Sequence, residues 1–101
     1  MKRIMKAAKF YLERSDREVI DNHDDVLFIK DDEGLAIVQV FVDEVKPMSR
    51  SRFKKEAVDF LGKHDDCVNM QVRYDTLVFY IINNDRALLE YHVMANFDWE
   101  E

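Results

Sequence analysis

Leu35-Ala36-Ile37-Val38-Gln39-Val40-Phe41-Val42 is the stretch on which the fold turns. Its apolar side chains do not alternate with polar ones, the pattern of a strand covered on both faces rather than one lying half in water. Such a strand needs a layer on each side, so the expected architecture is a sheet between helices. Gln39 is the sole polar interruption.

Upstream, Val26 to Lys30 is apolar and β-prone, and Asp31-Asp32-Glu33-Gly34 supplies a polar turn, so the two segments read as a hairpin. Glu18 to Asn22, centred on Val19 and Ile20, is a short strand after the break at Ser15-Asp16. From Lys2 to Glu13, the residues Ile4, Met5, Ala8, Tyr11 and Leu12 recur at helical spacing with lysines opposite. Downstream, Pro47 ends the extended segment and Ser49 or Ser51 can cap a helix. Phe53, Ala57, Phe60 and Leu61 carry that helix to Gly62. Met70 to Ile82 starts by alternating and becomes continuously apolar from Leu77, as a strand entering a two-sided core does. Asn83-Asn84-Asp85 turns the chain into a last strand, Ala87 to Met94. The expected fold is α/β: a mixed sheet of about five strands flanked by two helices, in the order α-β-β-β-α-β-β. The strand-helix-strand unit should form a right-handed parallel crossover.

The 101 residues, 48% hydrophobic, suit one domain spanning 1–101 with one core. A charged fraction of 36% with only two glycines and one proline argues against disorder or a repeat scaffold. The basic start, Met1 to Phe10, lacks the apolar stretch of a signal peptide, and no run nears the ~20 apolar residues that span a bilayer. A cytoplasmic protein without membrane contact is expected. Cys67 is the only cysteine, which leaves no internal disulfide and suggests a structural thiol.

The net charge of −6 opposes long-range attraction to nucleic acid. Positive charge is nevertheless concentrated at Lys2, Arg3, Lys6 and Lys9, and again at Lys46, Arg50, Arg52, Lys54 and Lys55. These residues are expected as solvated helix faces. Were the domain to touch nucleic acid, Arg50, Arg52, Lys54 and Lys55 would be the footprint.

Several short pieces then fall in a telling order. Ala7-Ala8 with Tyr11-Leu12, Leu35 to Val40, Arg73-Tyr74-Asp75 and His92-Val93-Met94-Ala95-Asn96-Phe97 together resemble the YraN-type family over nearly the whole chain. The resemblance implies a restriction-endonuclease-like core related to Holliday-junction resolvases. In that core a Gly-Glu-Ile-Asp stretch and a Val-Glu-Val-Lys stretch would assemble a divalent-metal site. Alignment puts Gln39 at the glutamate of the second stretch and Phe41 at its lysine. Gln39 keeps a carbonyl oxygen without the charge, and Phe41 can neither donate a hydrogen bond nor carry charge. In the first stretch Asp24 stands near the glutamate, while Val26 takes the aspartate position unless Asp25 compensates by a one-residue shift. Met5 replaces a further helical glutamate, and the loop from Asp43 to Ser49 is shorter than the family's basic connection.

The other polar groups have plainer roles. Asp21, Asp24 and Asp25 with His23 could ligate a metal, but a polar turn is the simpler expectation. His64-Asp65-Asp66 is expected as a solvated loop, His92 as a partly buried, hydrogen-bonded histidine, and Asp75 as a pair for Arg73. The expected function is that of a catalytically degenerate endonuclease-like domain without a cofactor, binding structured DNA or a protein partner. One alternative is an active Mg²⁺- or Mn²⁺-dependent enzyme using Asp24, Asp25 and Asp43. Another is an unrelated oligomeric domain, a homodimer for instance, that covers its last edge strand by self-association.

Overall fold

The computed structural model describes residues 2–93. Helix α1 (Lys2–Glu13) precedes strands β1 (Glu18–His23), β2 (Val26–Asp31) and β3 (Gly34–Val42). Helix α2 (Arg50–Lys63), a short 3₁₀ turn (Asp65–Cys67) and strands β4 (Val72–Asn83) and β5 (Arg86–Val93) follow. The order matches the expectation, α-β-β-β-α-β-β. Several boundaries move by a residue, and the start of β4 by two. Helix α2 runs past Gly62 and closes at His64, whose N–H donates to the Phe60 carbonyl at 3.0 Å. Strand β4 starts after Met70, whose N–H is drawn into the 3₁₀ turn by the Cys67 carbonyl at 3.0 Å. Met94, expected to end the last strand, lies outside the described residues.

The five strands lie in the order β1-β2-β3-β4-β5. All neighbours are antiparallel except β3 and β4, which run parallel because α2 returns the chain between them. The β2–β3 turn is set by Asp31, whose carboxylate accepts from the Glu33 N–H at 2.8 Å, and by Gly34 at φ +129°. A side chain at Gly34 would stand 2.6 Å from the Gln71 carbonyl oxygen, so both the backbone angle and the space require glycine.

Side chains alternate across the sheet, and each face has its own core. On one face Met5, Ala8 and Leu12 of α1 meet Ala36, Val38, Val40, Leu77 and Phe79. On the other, Phe53 and Phe60 of α2 meet Val26, Phe28, Leu35, Ile37 and Tyr74, with Phe28 and Phe60 stacked at 4.5 Å between ring centroids. Cys67 is buried in this second core, and burial pushes its thiol pKa up, away from reactivity. Leu35 to Phe41 is buried throughout, as its unbroken apolar pattern requires. No described helix is long and apolar enough to cross a membrane.

Candidate functional site: a closed polar cluster under helix α2

Three of the positions singled out in the sequence, Asp25, Gln39 and Arg52, meet where the β1–β2 turn approaches the start of α2. Asp24 takes a left-handed backbone, φ 55°, and this tight turn brings Asp25 over the middle of β3. The Asp25 carbonyl accepts from the Val40 N–H at 2.9 Å, which fixes the turn against the central strand. On the other side Ser49 caps α2, its hydroxyl accepting from the Arg52 N–H at 3.1 Å. That start sets the helix phase, and Arg52 and Glu56, one turn apart, both face the β1–β2 turn.

The side chains then connect without a gap. Gln39, 3% exposed, donates from Nε2 to Asp25 Oδ2 at 2.9 Å. Its Oε1 accepts from the Tyr74 hydroxyl at 2.5 Å and from the Met48 N–H at 3.1 Å. Arg52 donates from a terminal nitrogen to Asp25 Oδ1 at 2.7 Å, and its Nε lies 3.5 Å from Glu56 Oε2. Glu56 is buried and lies 3.0 Å from His23 Nδ1 through its other oxygen. The Arg52 guanidinium thus sits between two carboxylates and offsets part of their charge.

The titration behaviour follows. Burial pushes the Asp25 carboxyl up, but the hydrogen bonds from Gln39 and Arg52, together with the arginine charge, outweigh it and hold the carboxyl below its ordinary range. The hydrogen bond to Asp25 leads the effects that raise the Arg52 pKa. Burial raises the Tyr74 phenol, which remains a neutral donor.

Other expected participants lie elsewhere. Val26 pairs directly with Gln39 across β2 and β3 but belongs to the apolar core, so the carboxyl that reaches Gln39 comes from Asp25. Phe41 is a buried apolar residue, paired with Val78. Asp24 is exposed and has His23 as a neighbour at 3.6 Å. Asp43 stands beyond the end of β3, where its carboxylate accepts from the Ile81 N–H at 2.9 Å, so Asp24, Asp25 and Asp43 do not form one site. Among the described residues no three His, Cys, Asp or Glu side chains are grouped so as to hold a metal ion. Of the four basic candidates, Lys54 and Lys55 are exposed and Arg50 is partly so, while Arg52 is engaged by Asp25 and Glu56.

Two histidines depart from expectation. His92 is exposed rather than partly buried, with Glu90 at 3.4 Å, because it lies on the face of β5 opposite the one on which Ala87, Leu89 and Tyr91 pack against the α1-side core. His64 is more than a solvated loop residue: it stacks on Phe60 at 4.3 Å and its Nε2 lies 3.3 Å from Asp21 Oδ2.

A second network, on the α1 side, includes Tyr91 and Arg17, which no sequence pattern singled out. Asp75 is fully buried and receives Arg73 Nε at 3.0 Å, the expected pair, and also the Tyr91 hydroxyl. Arg73 reaches on to Asp31 at 2.7 Å, and Arg17 lies over the Tyr91 ring at 4.3 Å. The hydrogen bond from Arg73 holds the Asp31 carboxyl below its ordinary range, against the effect of burial. Burial and the bond to Asp75 drive the Tyr91 phenol far upward. This network ties β2, β4 and β5 together.

No protein-family model and no curated protein matches the chain.

Proposed function

We propose that this chain is a divergent YraN-type, endonuclease-like domain whose catalytic centre has become a structural polar cluster, and that it works as a non-catalytic protein-interaction module. The observation that carries the proposal is the Arg52 guanidinium between Asp25 and Glu56, with both polar ends of Gln39 already engaged.

A divalent-metal site for phosphodiester hydrolysis needs several hard oxygen donors whose negative charge is left for the ion. Here the fit fails on the donor set. The Asp25 carboxylate is engaged by an arginine that also faces Glu56, the Gln39 carbonyl oxygen already accepts two hydrogen bonds, and Val26 and Phe41 offer no ligand or proton-transfer group. A guanidinium holds the carboxylates together without the metal that would otherwise offset their repulsion. A protein partner is favoured over nucleic acid because the chain carries −6 net charge and Arg52 is already engaged. Apolar side chains at the β4–β5 end of the sheet, Ile81, Ile82, Leu88 and Val93, are exposed.

The test is cleavage and gel shift in parallel on branched, flapped and linear DNA at low salt with Mg²⁺ or Mn²⁺. The proposal expects neither cleavage nor a stable shift. Metal-dependent cleavage abolished by Asp24→Ala or Asp25→Ala would overturn the non-catalytic assignment. A shift lost on changing Lys54 and Lys55 to Ala would move the partner from protein to nucleic acid.

A further inference from the structure

Among the described residues the sheet has two edges, and they differ in how they meet solvent. Edge β1 is interrupted by an irregularity between Val19 and Asp21 and carries Glu18, Asp21 and Asn22, features that discourage addition of another strand. Edge β5 runs as Arg86-Ala87-Leu88-Leu89-Glu90-Tyr91-His92-Val93, without proline, glycine or lysine, and its register with β4 is regular from Ala87 to Val93. Leu88 is 56% exposed and Val93 55%, an apolar content that a solvent-facing edge normally avoids.

We infer that β5 pairs antiparallel with β5 of a second copy of this chain about a two-fold axis at Leu88, joining two sheets into one. The inference rests on the protein-interaction reading above and names the partner. A two-fold perpendicular to the sheet keeps each residue on its own face, so the strand can pair with itself only in registers that place even positions opposite even positions. Centred on Leu88, the register sets Leu88 against Leu88 of the partner subunit, and Arg86 against Glu90 of the partner subunit, twice by symmetry. Ala87 then meets Leu89 of the partner subunit on the other face. Opposite charges and apolar side chains placed directly across a ladder are the arrangement that stabilises strand pairs.

Neighbouring registers lack this match. Centring on Leu89 sets Leu88 against Glu90 of the partner subunit, and centring on Glu90 opposes two like charges. Centring on Tyr91 brings together two rings already tied to Asp75 and lying beneath Arg17. Residues 86, 88 and 90 are all exposed, and because Glu90 also lies 3.4 Å from His92 and is hydrogen-bonded by Tyr80, the thermal melts check the monomer fold of each variant.

The test is sedimentation equilibrium of the full chain over micromolar to millimolar concentration, with thermal melts to verify folding. The wild type should form a dimer. Leu88→Lys should weaken it by about tenfold or more, since two ammonium groups would face each other at the axis. Arg86→Glu and Glu90→Arg should each weaken it by about tenfold, and the double exchange should restore it, because only the Leu88-centred register places these two positions opposite each other. A monomer at all concentrations, or a dimer indifferent to all three positions, would overturn the inference. Single charge reversals that weaken the dimer without rescue in the double variant would overturn the register and with it this pairing. DNA cleavage, measured separately, would remove the non-catalytic assignment without touching the dimer, so the two failures are distinguishable.

Discussion

Gln39→Glu introduces a carboxylate at the centre of the cluster, and the structure predicts that it is costly in a pH-dependent way. The amide donates from Nε2 to Asp25 Oδ2 at 2.9 Å, and a carboxylate there would place oxygen against oxygen. Loss of the hydrogen bond alone costs about 1 kcal/mol. Two unit charges ~3 Å apart at an effective dielectric of ~20 repel by about 5–6 kcal/mol, part of which Arg52 offsets. The folded protein escapes by keeping a proton on the introduced carboxyl, which can then donate to Asp25 as the amide did. Its folded pKa therefore lies above the unfolded value of about 4.3, and the folded state binds more protons than the unfolded one. Stability relative to wild type should fall by about 1.4 kcal/mol per pH unit from roughly pH 4.3 up to the folded pKa and then level off. The expected deficit is about 2–4 kcal/mol at pH 7.5 and about 1 kcal/mol near pH 4.5. Urea denaturation of both proteins across that range measures it. A deficit that does not change with pH, or a variant as stable as wild type at pH 7.5, would refute the reasoning.

Three further outcomes follow from the same structure. Tyr91→Phe removes the hydroxyl donated to the fully buried Asp75 and should cost about 1.5–3 kcal/mol in urea denaturation; an unchanged midpoint would mean that the bond carries no net stability. Asp31 is held below its ordinary carboxyl range by Arg73, so its contribution is complete above an unfolded pKa of about 3.9 and is lost as pH falls through the lower folded value. Arg73→Met should therefore destabilise the protein at pH 7 and flatten its loss of Tm below about pH 4, as followed by circular dichroism melts; an acid transition as steep as the wild type's would contradict this. Gly34→Ala must accept φ +129° and a 2.6 Å approach to the Gln71 carbonyl, and should cost about 2–3 kcal/mol by the same denaturation assay.

The sheet and both helices were legible because their signals are local and redundant. The unbroken apolar run of β3 declared a strand buried on both faces, and the Ser49 cap with Phe53, Ala57 and Phe60 declared α2. The polar interruption at Gln39 marked the right position, but its partners Met48 and Tyr74 lie 9 and 35 residues away, and Asp25 arrives through the backbone twist at Asp24. Contacts of that range depend on strand order and helix phase. Arg52 shows the same limit: as a letter it belonged to a basic run, whereas in the fold it is the counter-ion of Asp25 and Glu56. Asp31 looked like a turn residue because it is one, and its ion pair with Arg73 depends on β4 returning through the sheet to the end of β2. His92 looked half-buried from its apolar neighbours, but it falls on the face of β5 away from the core that takes Ala87, Leu89 and Tyr91.

The cluster around Gln39 is closed by its own hydrogen bonds and by Arg52. The most direct measurement is a Mn²⁺ titration followed by proton–nitrogen correlation spectra, watching the Gln39 side-chain amide and the Met48 backbone N–H. The account predicts that both signals persist unbroadened beyond the general effect of free Mn²⁺ on surface amides. Selective loss of these two signals at low Mn²⁺, reversed by a chelator and absent in Asp25→Ala, would show a metal entering the cluster and would contradict the account.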